Sequence, residues 1–167
     1  MLVLNDFHNN FDIWSMRLAA GQKPVPFVVG SYSAGLARPT ADGRQVAYTS
    51  AESGENEVYV RPYPGPGGRV QVSSGGGTEP VWSRDGRRLF YKAGRRMMVA
   101  TLSPPPNVRV LSRDSLFAAQ PLRNLSGAMY DVAADGRVLT LRADDRNVQL
   151  VIALGWAAQA LAEGARR

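Results

Sequence analysis

The tripeptide Asp-Gly-Arg occurs three times, as Asp42-Gly43-Arg44, Asp85-Gly86-Arg87 and Asp135-Gly136-Arg137, at spacings of 43 and 50 residues. Glycine reaches positive φ without a steric penalty, and aspartate accepts bonds from nearby backbone N–H groups. The pair therefore marks a tight turn between two strands. Each copy precedes a run rich in branched, aromatic or other apolar residues: "QVAYTS", "RLFYKA" and "VLTLRA". A turn that returns every 40–50 residues among short strands is the period of a propeller blade of four antiparallel strands.

The strands can be placed around these turns. In the clearest unit, Pro80–Ser83 is an inner strand, Arg88–Tyr91 the second, Met97–Leu102 the third and Val108–Leu111 the fourth, after "SPPP". The unit before it reads Leu36–Pro39, Gln45–Thr49, Glu57–Arg61 and Arg69–Ser73. Within Glu57-Val58-Tyr59-Val60-Arg61 the alternation is looser than one-faced burial requires, as expected where both faces pack on neighbouring blades. The ends hold three strands each. These are Leu2–Asn5, Phe11–Met16 and Val25–Val29 at the start, with no inner strand, and Ala128–Val132, Val138–Leu141 and Val148–Leu154 at the finish, with no fourth. "GWAAQALAEGARR" reads as a short Ala-rich helix or tail over 155–167. The expectation is an all-β chain, a partial β-propeller of about four four-stranded antiparallel blades. Two are complete and two incomplete, at about 1–30, 35–74, 79–117 and 127–154, with a short C-terminal helix. Closed rings need about 4–8 blades, so an open arc, a piece of a longer ring, or a ring closed by association is implied.

Composition narrows the chemistry. With 44% hydrophobic and 20% charged residues in a chain of 167, a single domain with a real core is expected. The absence of cysteine excludes disulfides, thiol catalysis and zinc-thiolate sites. His8 is the single histidine, which excludes a multi-histidine metal site and leaves a serine hydrolase only that one base, in the turn-like "DFHNN". No run approaches the roughly 20 apolar residues of a membrane span, and "MLVLNDFHNNFDIW" lacks the basic start and apolar stretch of a signal peptide. The compartment is not fixed by these features. Net charge is +6, but Lys23 and Lys92 are the only lysines and the arginines are scattered over hairpins. No aromatic-plus-basic stripe of the kind that stacks bases is present, so nucleic acid is not an expected partner.

The stretches Glu52-Ser53-Gly54, Glu57-Val58-Tyr59-Val60, Pro64-Gly65-Pro66-Gly67-Gly68 and Gly76-Gly77-Thr78-Glu79-Pro80-Val81-Trp82 resemble the TolB-like, WD-repeat-like β-propeller. The likeness is to propellers that follow the kinase domain in some bacterial serine/threonine protein kinases. It covers about Asp12 to Leu154 and is most specific before Asn107. That family repeats a Ser-Pro-Asp-Gly turn once per blade. Here the proline is absent throughout, in Pro39-Thr40-Ala41-Asp42, Ser83-Arg84-Asp85 and Ala133-Ala134-Asp135, and Gly155 stands where the family's last strand has Asn before Trp. No Gly-rich loop before a β3 lysine, no His-Arg-Asp and no Asp-Phe-Gly occurs, so kinase activity does not transfer. The resemblance implies a bacterial sensor or kinase-linked parent, in a family often found outside the cytoplasm.

Local motifs suggest little chemistry. "GPGG" and "GGG" lead into strands rather than a helix N-terminus and lack Gly-Lys-Ser/Thr, so they read as turns rather than phosphate cradles. Asp144-Asp145 and Glu55/Glu57 offer too few oxygens for calcium. No metal and no cofactor are expected. Trp82, Tyr91, Tyr59, Trp14 and Tyr48 sit within strands, where packing between blades is the default. The positions kept for ligand binding are Arg38, Thr78, Glu79 and Trp82, at the starts of inner strands that line a central channel; Arg38 and Thr78 read as near-equivalent. Asp42, Gly43, Asp85, Gly86, Asp135 and Gly136 are the structural turns.

The sequence-level expectation is a non-catalytic binding or interaction module with a protein or peptide ligand. One alternative is an accessory propeller gating a prolyl-oligopeptidase-like hydrolase, although no Gly-x-Ser-x-Gly elbow is present. Another is a self-assembling scaffold, associating through partial blades at a face built from Phe11, Ile13, Trp14, Val148, Leu150 and Ile152.

Overall fold

In the computed structural model, residues 2–6, 11–17, 19–65, 67–119, 128–143 and 148–153 are described. The chain folds as an all-β partial propeller with fourteen strands in four sheets and no helix among the described residues. The first sheet holds β1 (Leu2–Asp6), β2 (Asp12–Met16) and β3 (Val25–Val28). The second holds β4 (Ala34–Pro39), β5 (Gln45–Ser50), β6 (Glu57–Pro62) and β7 (Val70–Gln71). The third holds β8 (Thr78–Trp82), β9 (Arg88–Ala93), β10 (Arg96–Leu102) and β11 (Val110–Ala118). The fourth holds β12 (Tyr130–Val132), β13 (Val138–Ala143) and β14 (Val148–Ala153). In every sheet each strand pairs antiparallel with its sequence neighbour, so all four are simple meanders. The helix expected over 155–167 lies outside the described residues, as do His8 and Asp144-Asp145.

Side chains alternate across a strand, and here both faces find a partner. Tyr48 and Tyr59 point back toward Ile13 and Val28 of the first sheet, their rings stacked with centroids 5.8 Å apart. Ala47, Val58 and Val60 point forward, onto Leu89, Tyr91, Ala100 and Leu102 of the third. Phe90, Met97 and Val99 in turn pack on Tyr130 and Val138 of the fourth. Three apolar layers thus join four sheets. This is why all six residues of β5 are buried, although its pattern looks too uniform for a one-faced strand.

Ile13 is wholly buried in the first of these layers. It is therefore withdrawn from the association face on which the sequence placed it. Phe11, 47% exposed, stays on the surface, and Trp14 is half-buried. The side chains of Val148, Leu150 and Ile152 lie outside the described set.

The three Asp-Gly turns share one frame. Gly43, Gly86 and Gly136 have φ of 69, 67 and 85°, as the turns require. Asp42 Oδ1 accepts from the Arg44 N–H at 3.0 Å, Asp85 Oδ1 from Arg87 at 3.1 Å and Asp135 Oδ1 from Arg137 at 3.1 Å. The first two turns add a hydroxyl that the sequence reading overlooked. Thr40 Oγ1 donates to Asp42 Oδ1 and Ser83 Oγ to Asp85 Oδ1, both at 2.6 Å. Each hydroxyl also accepts from a backbone N–H across the turn, Gln45 at 3.1 Å and Arg88 at 2.9 Å. These bonds hold Asp42 and Asp85 below the ordinary carboxylate range, the hydroxyl first and the backbone N–H second. Ala133 has no hydroxyl to give, and its turn closes one residue tighter, pairing Val132 with Val138 where Trp82 pairs with Leu89.

A Cβ on Gly86 would meet only Thr40 Cγ2, at an ordinary 3.5 Å, so the cost of substitution lies in the backbone. Gly86→Val is expected to destabilise by about 1–2 kcal/mol in urea melts. Gly68→Ala, in open space without positive φ, should change the midpoint little.

Two inner strands carry an unforeseen bulge. Between Gly35 and Arg38 of β4, and between Thr78 and Val81 of β8, one residue more is spent than on the partner strand. Leu36 and Glu79 sit there at φ of 53 and 56°, a left-handed conformation that costs a non-glycine residue roughly 1–2 kcal/mol. Nothing in residue type announces this. The fourth strand of the third sheet also differs from expectation. It runs Val110–Ala118, not Val108–Leu111, and is held by its register on β10 despite an exposed, polar middle at Ser112–Ser115.

Glu57 illustrates how loops are tied down. It is 2% exposed, and its carboxylate accepts from Ser73 Oγ and, at 3.0 Å, from the Gly76 N–H. Ser73 Oγ also takes the Val58 N–H at 2.7 Å. The "GGG" segment is therefore stapled to β6 and delivers the chain to β8 as a turn.

Candidate groove at the inner-strand ends

The inner strands β4, β8 and β12 lie side by side and end in the three Asp-Gly turns. At that end a groove of about 510 Å³ opens, lined by Arg38, Pro39, Trp82, Arg84, Tyr130 and Asp131, among others. Narrower clefts continue it on either side. One of about 170 Å³ lies between the first two turns, and one of about 260 Å³ between the second and third. Arg84 lines all three.

Trp82 anchors the groove. Its ring packs against the layer containing Leu89 and Val60, and its Nε1–H donates to the Arg38 carbonyl at 2.9 Å, across two sheets. The indole is therefore fixed in place but remains half-buried. Arg38 is exposed, its backbone held by that bond. Arg84 sits at the apex of the second turn, between Ser83 and Asp85, whose mutual bond fixes the loop beneath it.

Of the four candidate residues, the structure brings Arg38 and Trp82 together. Thr78 and Glu79 lie at the opposite end of β8. In the common strand frame Arg38 aligns with Val81, and Thr78 with Gly35, so Arg38 and Thr78 stand three positions apart rather than near-equivalent. Glu79 joins two sheets. Its Oε2 lies 2.9 Å from Lys92 Nζ and accepts from the Met129 N–H at 3.1 Å, while its carbonyl accepts from the Tyr130 hydroxyl at 2.5 Å. Lys92 Nζ is also 6.0 Å from the Tyr130 ring centroid. Burial, and then the Glu79 carboxylate, push the Tyr130 phenol well above its ordinary range, so it stays a hydrogen-bond donor.

Arg84 is the groove residue the sequence reading missed. The available signal was its place in the turn: an arginine stands at the apex where Ala41 and Ala134 stand in the other two copies.

No protein-family model matches the chain, and no curated protein matches it. Solved structures do. TolB from Acinetobacter baumannii superposes with a TM-score of 0.63 at 18% identity, over 90% of this chain and 37% of that one. A periplasmic gluconolactonase from Pseudomonas aeruginosa superposes with a TM-score of 0.49 at 16% identity, over 90% of this chain and 51% of that one. The chain thus spans little more than a third of TolB, and at this identity the likeness shows the fold alone. The expectation that the chain is not an enzyme is corrected by the second match. A propeller named for a reaction stands among the similar structures, and a likeness of that size assigns no reaction here. No helix among the described residues is long and apolar enough to cross a membrane. The chain is similar in fold to a TolB β-propeller.

Proposed function

We propose that the chain is the ligand-binding arc of a propeller and that a protein segment lies in the groove at the turn end of β4, β8 and β12. The observation that carries this is Trp82. A half-buried indole, pinned by a bond from one sheet to the next, stands in an open groove of about 510 Å³. A rigid aromatic flanked by arginines is the composition enriched at the centres of protein interfaces. A bacterial sensor or kinase-linked parent rests on the sequence resemblance of the Glu52–Trp82 stretches.

The test is site-specific photo-crosslinking in the native host, with a photoreactive residue at Ala41, exposed beside the groove, or at Glu55, exposed in the β5–β6 hairpin. A discrete protein adduct at position 41 and none at 55 is expected. Adducts at 55 alone would move the interface away from the groove.

A further inference from the structure

We propose that the groove recognises a carboxylate side chain of an extended protein segment, held between Arg38 and Arg84 against Trp82. This deepens the reading above and rests on it.

The charge balance of the face points there. Two of the turn arginines are tied to the aspartates of their own turns, Arg44 to Asp42 at 3.9 Å and Arg137 to Asp135 at 2.7 Å. The guanidinium groups of Arg38 and Arg84, by contrast, make no hydrogen bond or ion pair among the described residues. Nearby carboxylates make bonds of their own within the fold. Asp85 Oδ1 is taken by the Ser83 hydroxyl and the Arg87 N–H, and Asp131 Oδ1 accepts from the Val132 N–H. Two cations without an ion-pair partner among the described residues therefore line one concavity.

Their supports are fixed even though their heads are free. The backbone of Arg38 is held by Trp82, and that of Arg84 by the hydroxyl–aspartate bond of its turn. Less order is lost when a ligand arrives than at two arginines on mobile loops. A guanidinium presents a planar fork that matches a carboxylate in bidentate fashion. Pro39, Val81 and the Trp82 ring supply the apolar floor for the rest of a segment.

The same features argue against a nucleic acid. Tyr130 and Phe90 also line these clefts but are buried, which leaves Trp82 as the accessible ring; successive bases need several.

The experiment is fluorescence anisotropy of a dye-labelled, end-capped peptide of about ten residues alternating Glu and Thr, titrated with the chain at low salt. Its Gln-for-Glu counterpart is run in parallel. Saturable binding of the Glu peptide is expected, with the Gln peptide at least about tenfold weaker. Arg38→Gln and Arg84→Gln should each weaken binding about tenfold while leaving thermal melts little changed, because neither guanidinium makes a hydrogen bond or ion pair among the described residues. Arg44→Gln, outside the groove, should stay within about twofold.

Equal binding of the Glu and Gln peptides, unaffected by either arginine variant, overturns the carboxylate inference. If Trp82→Ala still abolishes that binding, the groove reading survives alone. No saturable binding of the Glu peptide also overturns the inference, and crosslinking at position 41 then judges the groove separately. A single-stranded oligonucleotide that binds tighter than the Glu peptide, with the same arginine dependence, overturns the choice of ligand class.

Discussion

Lys92→Ala is expected to destabilise the fold by about 3 kcal/mol, because it strips the partner from a carboxylate that is mostly withdrawn from water. Lys92 sits near the end of β9, 7% exposed, with its stem between the third and fourth sheets and its Nζ on Glu79 Oε2 at 2.9 Å. The Glu79 side chain is itself only 17% exposed, and it also accepts from the Met129 N–H. Replacing both members, as Lys92→Met with Glu79→Gln, removes the charge along with its partner and should cost clearly less than the sum of the single changes. Urea unfolding of the four proteins measures this. Strict additivity would mean that the pair contributes no coupling and that the third and fourth sheets are held by apolar packing alone.

Phe90→Ala is expected to cost a further large amount, about 3–5 kcal/mol, through the cavity it leaves. Phe90 is fully buried in the layer containing Met97, Val99, Tyr130 and Val138, and pairs with Val81 and Val99 in register. The internal control is Leu139, which occupies the same strand position in the fourth sheet and is 38% exposed. Leu139→Ala should stay below about 1 kcal/mol. Comparable losses at both would show that the two positions share an environment and that the stacking order of the sheets is wrong.

What could be read from the sequence was what is locally encoded. An Asp-Gly pair requires its turn, and runs such as "QVAYTS" and "RLFYKA" become strands wherever they are placed between such turns. The allotment of three, four, four and three strands follows from these signals. Features set by a distant partner were not legible. The length of β11 depends on β10, since polar, exposed residues, Ser112 to Ser115, fill the middle of the strand between its apolar ends. The bulges at Leu36 and Glu79 place ordinary side chains at positive φ, which composition does not announce. Glu79 looked like a channel residue because the lysine that claims it lies on the neighbouring strand, thirteen residues on in sequence. Ile13 looked available because its burial depends on Tyr48 and Tyr59. Within the groove, Trp82 and Arg38 were legible from the strand frame, whereas Arg84 was hidden in the turn motif.

The measurement that bears most directly on the groove is nuclear magnetic resonance of the Trp82 indole, assigned by loss of its signal in Trp82→Phe. The Nε1–H bonds to the Arg38 carbonyl at 2.9 Å, so it should exchange slowly with solvent and show cross-relaxation to the Arg38 and Pro39 α-protons. It should also shift when the groove is filled. A fast-exchanging indole proton with no cross-relaxation to β4 would contradict the assembly of this groove from adjacent sheets.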